Sequence, residues 1–261
     1  MKALFTALMA LACAAVLVMG NLHWNEKTTI AGDSQLEKKI PLQQEAHDST
    51  EADKLLSLAE NWPEESQAAL KKALQEDRPF NIAIAGSEIL SSGENSWSTI
   101  LTKKLKQGYG DAVNIAVKTY DLDSLSFQSQ GKIEDITREK PDLVLLEPFT
   151  LNDNGVVTIE DSLAAVTNII VETRKTSPEA AFILQPPYPL YNATYYPIQV
   201  DELKKYAGSK GLTYIDHWSV WPDGSSEEIK DYLSEDLSVP NEKGIQLWAD
   251  YVGDFLVKDA S

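Results

Sequence analysis

From Phe80 onward, short and almost wholly apolar runs alternate with longer stretches in which apolar residues recur every three or four positions. The short runs are 80–85, 112–117, 143–146, 181–184 and 212–215. Continuous apolarity, without alternation, is what a strand needs when helices cover both faces of its sheet. The stretches 97–105, 159–174, 200–207 and 245–257 carry the helical period instead. In 159–174 the residues Leu163, Val166, Ile169, Ile170 and Thr173 fall on one face. In 245–257 the pattern turns Leu247, Trp248, Tyr251 and Phe255 inward. Strand–helix units in this order predict an α/β fold, a three-layer doubly wound sheet of about five parallel strands.

The pattern before Phe80 is different. Lys2 precedes the apolar run from Ala3 to Met19, and residues 1–20 therefore read as a signal peptide or membrane anchor. Residues 21–53 are polar and charged without sustained periodicity, and they read as a tether. His23 and His47 fall in that stretch as solvated linker residues. A leading helical segment follows, with Ala68, Leu70, Ala73 and Leu74 on its apolar side and Pro63 at the start of its second piece. The domain is expected to span 54–261. Cys13, the single cysteine, lies inside the apolar leader behind a poor lipobox, so the domain has no intramolecular disulfide. The leader places the domain outside the cytoplasmic membrane, secreted or anchored to its outer face.

Composition narrows the partners. Hydrophobic residues make up 43 % of the chain, enough for a core. The net charge of −17 repels a phosphate backbone, so nucleic acid is not an expected partner. No cofactor or metal ion is expected, because no loop has calcium-ligand spacing.

Open α/β sheets bind ligands at the carboxyl ends of their strands. The residues there are Gly86-Ser87-Glu88 after the first strand and Glu147 to Asn154 after the third. Gln185 to Tyr188 follow the fourth and Asp216-His217-Trp218 the fifth. Asp236 to Gly244 precede the last helix. The carboxylates Glu88, Glu147, Asp153, Asp216 and Asp236 all fall on this edge, where a pair with split pKa values could do acid–base work. His217 is the only histidine of the domain and hence its only imidazole base. Ser87 is the first candidate nucleophile, with Ser91 or Ser92 as substitutes.

Three blocks here resemble those of the SGNH/GDSL hydrolases, in the family's order. They are Gly86-Ser87-Glu88, Thr150-Leu151-Asn152-Asp153, and Asp236-Leu237-Ser238-Val239-Pro240-Asn241-Glu242-Lys243-Gly244. The resemblance implies an ester hydrolase with a serine nucleophile and an oxyanion hole that includes Asn152. It also implies departures. Glu88 stands at the family's nucleophile position, Val239 at its catalytic histidine, and Thr119 or a neighbour at its second-block glycine.

The expected chemistry is therefore a rearranged triad of Ser87, His217 and Asp236, with Asn152 holding the oxyanion. The stretch 186–197 carries Tyr188, Tyr191, Tyr195 and Tyr196 among stiff prolines. Tyrosines with a flat face and a polar tip suit a sugar ring. Tyr188, Tyr191, Tyr195 and Trp218, together with Glu88, are the expected substrate contacts. Asn192-Ala193-Thr194 matches a glycosylation acceptor pattern, but a bacterial-type leader gives no reason to read it as modified. The expected substrate is an acylated envelope carbohydrate. The competing expectations are a non-catalytic protein of the same fold, binding envelope polysaccharide or a synthesis complex, and an unrelated flavodoxin-like binding domain.

Overall fold

The computed structural model describes residues 51–91 and 93–258. The leader 1–20 with Cys13, the tether as far as residue 50 with His23 and His47, and Ser92 lie outside the described residues. Helix is already present over 51–58, inside the end of the stretch expected as tether. α1 (Glu64–Gln75) follows, capped by Pro63, whose ring fixes φ and suits a helix start.

Five parallel strands form one sheet in the order β2-β1-β3-β4-β5. They are β1 (Phe80–Ser87), β2 (Val113–Tyr120), β3 (Leu143–Leu146), β4 (Ala181–Leu184) and β5 (Thr213–Tyr214). β3 and β4 coincide with their apolar runs residue for residue. β1 and β2 run further, because Gly86 pairs with Thr119 and Ser87 with Tyr120, and backbone pairing needs no apolar side chain. β5 is shorter than its apolar run. Only Thr213 and Tyr214 pair with β4, where Pro186 and Pro187 bring no N–H to extend the ladder.

Among the described residues seven α-helices follow α1: α2 (Trp97–Tyr109), α3 (Ser124–Ser129), α4 (Ile133–Thr137), α5 (Thr150–Asp153), α6 (Ile159–Thr176), α7 (Tyr196–Lys210) and α8 (Glu242–Leu256). Side-chain oxygens cap four of them; at α3 the Asp123 carboxylate accepts from Leu125 and Ser126 N–H. Ser96 accepts from Thr99 N–H, Thr158 from Asp161 N–H and Asn241 from Gly244 N–H. α7 begins earlier than its apolar periodicity, with Pro197 in the first turn.

Alternation along the strands divides the core in two. Ile82, Ile84, Leu143, Leu145 and Ile183 pack with α1, α2 and α8. Ala83, Ala85, Val144, Leu146, Phe182 and Leu184 pack with α4, α6 and α7. The inward face of α8 is rotated from the expected one. Its buried residues are Gly244, Trp248, Ala249, Val252, Gly253 and Leu256, whereas Leu247, Tyr251 and Phe255 are half-buried. The glycines explain the rotation. A Cβ at Gly253 would stand 2.6 Å from Lys104 Cδ, and one at Gly244 would run into the Tyr232 carbonyl.

Candidate active site

β3 and β4 are each followed at once by a polar residue, Glu147 and Gln185. Leu145 and Ile183, two residues earlier, face the first core, so Glu147 and Gln185 face it too. Across from Glu147 lies Gly86 of β1. A Cβ there would come within 2.8 Å of Glu147 Cβ and 2.9 Å of its carbonyl oxygen, so this position has room only for glycine.

The Glu147 side chain is fully buried. Its Oε2 accepts from Ser87 N–H at 2.7 Å and from Ser87 Oγ–H at 2.5 Å. Its Oε1 has no partner among the described residues. Burial pushes this carboxyl up to about 7, against the opposing pull of the two Ser87 hydrogen bonds. Ser87 keeps 5 % exposure at the end of β1. A serine hydroxyl donating to a carboxylate that titrates near neutrality has the elements of a nucleophile and its base. Glu147 was among the edge carboxylates of the sequence, but its pairing with Ser87 depends on β1 and β3 being neighbours, which the sequence does not display. Gln185 is equally buried. Its Oε1 accepts from Trp248 Nε1–H at 3.0 Å, while its Nε2 is unpartnered among the described residues.

The expected Ser87–His217–Asp236 triad is not assembled. His217 is fully buried and both ring nitrogens are engaged elsewhere. Nε2–H donates to the Pro186 carbonyl at 2.8 Å, and Nδ1 accepts from Trp221 Nε1–H at 3.2 Å. The ring stacks on Trp248 with centroids 4.8 Å apart. Burial lowers its pKa to about 3, so it stays neutral. Its neighbour Asp216 pairs with Lys204 at 2.5 Å. Asp236 sits in an exposed turn. Its Oδ1 accepts from Ser234 Oγ–H, Ser238 N–H and Ser238 Oγ–H, which hold its pKa down to about 2. It orients no imidazole. Ser91, the substitute serine within the described residues, is exposed and within 3.3 Å of the Ser98 hydroxyl.

The remaining block residues divide by role. Asn152 is half-buried on α5, and its amide has no hydrogen-bond partner among the described residues. Glu88 is exposed at the start of a short 3₁₀ turn, and Val239 is 38 % exposed. Asp153 is buried and accepts from Ser124 N–H at 2.7 Å, tying α5 to the start of α3. Asn241 caps α8 and donates its amide to the carbonyls of Asp231 and Leu233. Gly244 lets α8 close on the Tyr232 carbonyl and the Trp221 ring. The Pro-Asn-x-x-Gly stretch is thus structural in this protein.

The tyrosines do not form the expected wall. Tyr188 is buried, and its hydroxyl donates to the Ser238 carbonyl at 2.7 Å. Tyr196 is buried and donates to the Tyr188 carbonyl at 2.9 Å. Tyr191 is half-buried and donates to Glu227. Tyr195 alone projects, at 75 % exposure. Trp218 is half-buried, with Nε1–H on the Pro187 carbonyl at 2.7 Å. Among the described residues, no three His, Cys, Asp or Glu side chains gather as metal ligands would.

The fold has solved counterparts. Axe2, an acetylxylan esterase from Geobacillus stearothermophilus, superposes with a TM-score of 0.54 at 14 % identity, over 68 % of this chain and 94 % of that one. A GDSL-like lipase from Bacteroides thetaiotaomicron gives 0.51 at 12 % identity, over 72 % and 97 %. A G-D-S-L family protein from Desulfitobacterium hafniense gives 0.54 at 19 % identity, over 67 % and 99 %. No family model matches the sequence and no curated protein matches it. At these identities the likeness establishes the fold: this chain has the SGNH/GDSL hydrolase architecture, as its motif order implies.

Proposed function

We propose that this SGNH-fold protein is an extracytoplasmic ester hydrolase acting on acylated carbohydrate, with Ser87 and Glu147 as its nucleophile–base pair. The observation that carries the reading is the 2.5 Å hydrogen bond from Ser87 Oγ to a buried carboxylate that titrates at about 7. Ionised Glu147 takes the Ser87 proton as Oγ attacks the ester carbonyl. The acyl group passes to Oγ, and the proton on Glu147 goes to the departing alcohol. Water then repeats the sequence and releases the acid. The unpartnered amide of Asn152 is the side-chain donor for the oxyanion. The apolar leader 1–20 supports the location outside the cytoplasm, and the acetylxylan esterase among the structural counterparts supports the substrate class.

A second reading has its own observation. The family's nucleophile and terminal histidine positions hold Glu88 and Val239, which fits a non-catalytic binding protein on the same scaffold. Fluorophosphonate labelling of the full chain, mapped by mass spectrometry, separates the two. A label on Ser87 that is lost in Glu147→Gln and kept in His217→Phe is the expected result. A label on Ser91 or Ser92 keeps the hydrolase and refutes this nucleophile. An unlabelled, folded protein that also fails to hydrolyse an aryl acetate selects the binding reading.

A further inference from the structure

A groove that shares no residue with the Ser87–Glu147 pair opens between the loop after β4 and the segment after β5. Its volume is about 810 Å³, inside the range of roughly 300–1,000 Å³ usual for small-molecule sites. Its two walls are tied together. Asn192 N–H donates to the Gly224 carbonyl at 2.8 Å, and the Tyr191 hydroxyl donates to Glu227. Asn192 holds a left-handed backbone, φ 52°, which turns the loop at this point.

One aromatic ring of the lining is held in place. Trp218 is fixed by its bond to the Pro187 carbonyl and by an edge contact with Tyr196, ring centroids 5.5 Å apart. It is nevertheless only half-buried and lines the groove beside prolines. A ring held in place before binding loses little freedom on contact. Around it stand polar groups that the protein does not use. The Asn192 amide and the Thr194 hydroxyl have no hydrogen-bond partners among the described residues. Asp223 Oδ1 takes Ser225 N–H and Oγ–H, leaving Oδ2 to a ligand. Among the described residues no cationic side chain lines the groove, and the chain carries −17 overall, so an anionic ligand is disfavoured.

The geometry points to a binding site for a neutral oligosaccharide in this groove, with Trp218 as the stacking face and Asn192, Thr194 and Asp223 as hydroxyl partners. The inference rests on the proposed function only for its substrate class; of the expected sugar contacts it keeps Trp218 and leaves out the tyrosines. An apolar ring face with a rim of amide, hydroxyl and carboxylate oxygens matches a sugar ring, which has C–H faces and equatorial hydroxyls.

Isothermal titration calorimetry of the full chain with xylotetraose and chitotetraose, and with tetragalacturonate as the anionic counterpart, tests the site. The expected result is saturable binding of a neutral tetrasaccharide and none of the acidic one. Trp218→Ala and Asn192→Gly are each expected to weaken binding about tenfold or more. Glycine keeps the left-handed turn, so Asn192→Gly removes the amide without straining the loop. The same titrations in Ser87→Ala read binding separately from hydrolysis. Failure of both neutral tetrasaccharides to bind folded protein overturns the inference. So does equal binding of tetragalacturonate, or parental affinity in both groove variants.

Discussion

At the β5 end of the sheet's carboxyl edge, His217 is saturated. Each ring nitrogen has a partner, one ring face rests on Trp248, and burial keeps it neutral. Further in, at the end of β3, Glu147 is half-finished. One oxygen takes both Ser87 donors and the other takes none among the described residues. The contrast separates a structural polar residue from a poised one. Satisfied buried networks rigidify a core, whereas an unsatisfied buried carboxylate oxygen carries a standing cost that packing alone does not repay. Residue type pointed to the imidazole as the base; the partners point to the carboxylate.

Replacing Glu147 by Gln attacks the contrast most directly. Ester hydrolysis is expected to fall about 10²- to 10⁴-fold, measured as kcat/KM on an aryl acetate. In the parent, kcat/KM is expected to rise with pH through about 7 as Glu147 ionises. His217→Ala should leave the labelling of Ser87 in place but cost stability. It opens a cavity beneath Trp248 and strands the Trp221 N–H, at about 3 kcal/mol in urea unfolding.

The two groups also pull pH-dependent stability in opposite directions. Glu147 titrates at about 7 in the fold against an ordinary 4.5, so the native state binds the extra proton. Its contribution falls as pH rises from about 4.5 to 7. His217 titrates at about 3 against 6.5, so the unfolded state binds the extra proton and its contribution is lost as pH falls through that window. Urea midpoints of Glu147→Gln and His217→Phe across pH 4–8 should therefore change slope with opposite signs, each over a few kcal/mol.

Gly86→Ala sharpens the comparison locally. The added methyl meets Glu147 and Leu90, and a loss of about 1–3 kcal/mol is expected together with displaced Ser87 chemistry. Asp236→Ala should do least. The exposed turn loses its Ser234 and Ser238 bonds, and neither hydrolysis nor the melting temperature should move measurably, in contrast to a triad aspartate.

The layers and the parallel sheet were legible because buried parallel strands leave unbroken apolar runs, as 143–146 and 181–184 do. The edges of the elements were less so. Gly86 and Ser87 join β1 through backbone pairing that hydrophobicity does not register. The site was legible only as a list of edge residues. Inward alternation carries Ile215 and then His217 beneath α8 even though β5 is two residues long, so an apparent base became core. In the loop after β4, equal tyrosines take opposite fates, Tyr188 and Tyr196 inward and Tyr195 outward, because the backbone there has no period to read. The matching Pro-Asn-x-x-Gly block identified a fold through a helix cap and a close approach and carried no chemistry with it.

α8 has a consequence for how the chain is made. Trp62 Nε1 donates to the Leu256 carbonyl across 194 residues, and the Tyr109 hydroxyl reaches the same carbonyl across 147. Trp248 caps the edge by meeting Gln185, His217 and Trp97. α8 is thus made after every strand of the sheet, yet it completes the core that begins with α1 and α2. A chain interrupted before residue 242 would keep α1 and α2 over the first core but lack Trp248, Val252 and Leu256, and that apolar surface would stay open to chaperones until α8 docks.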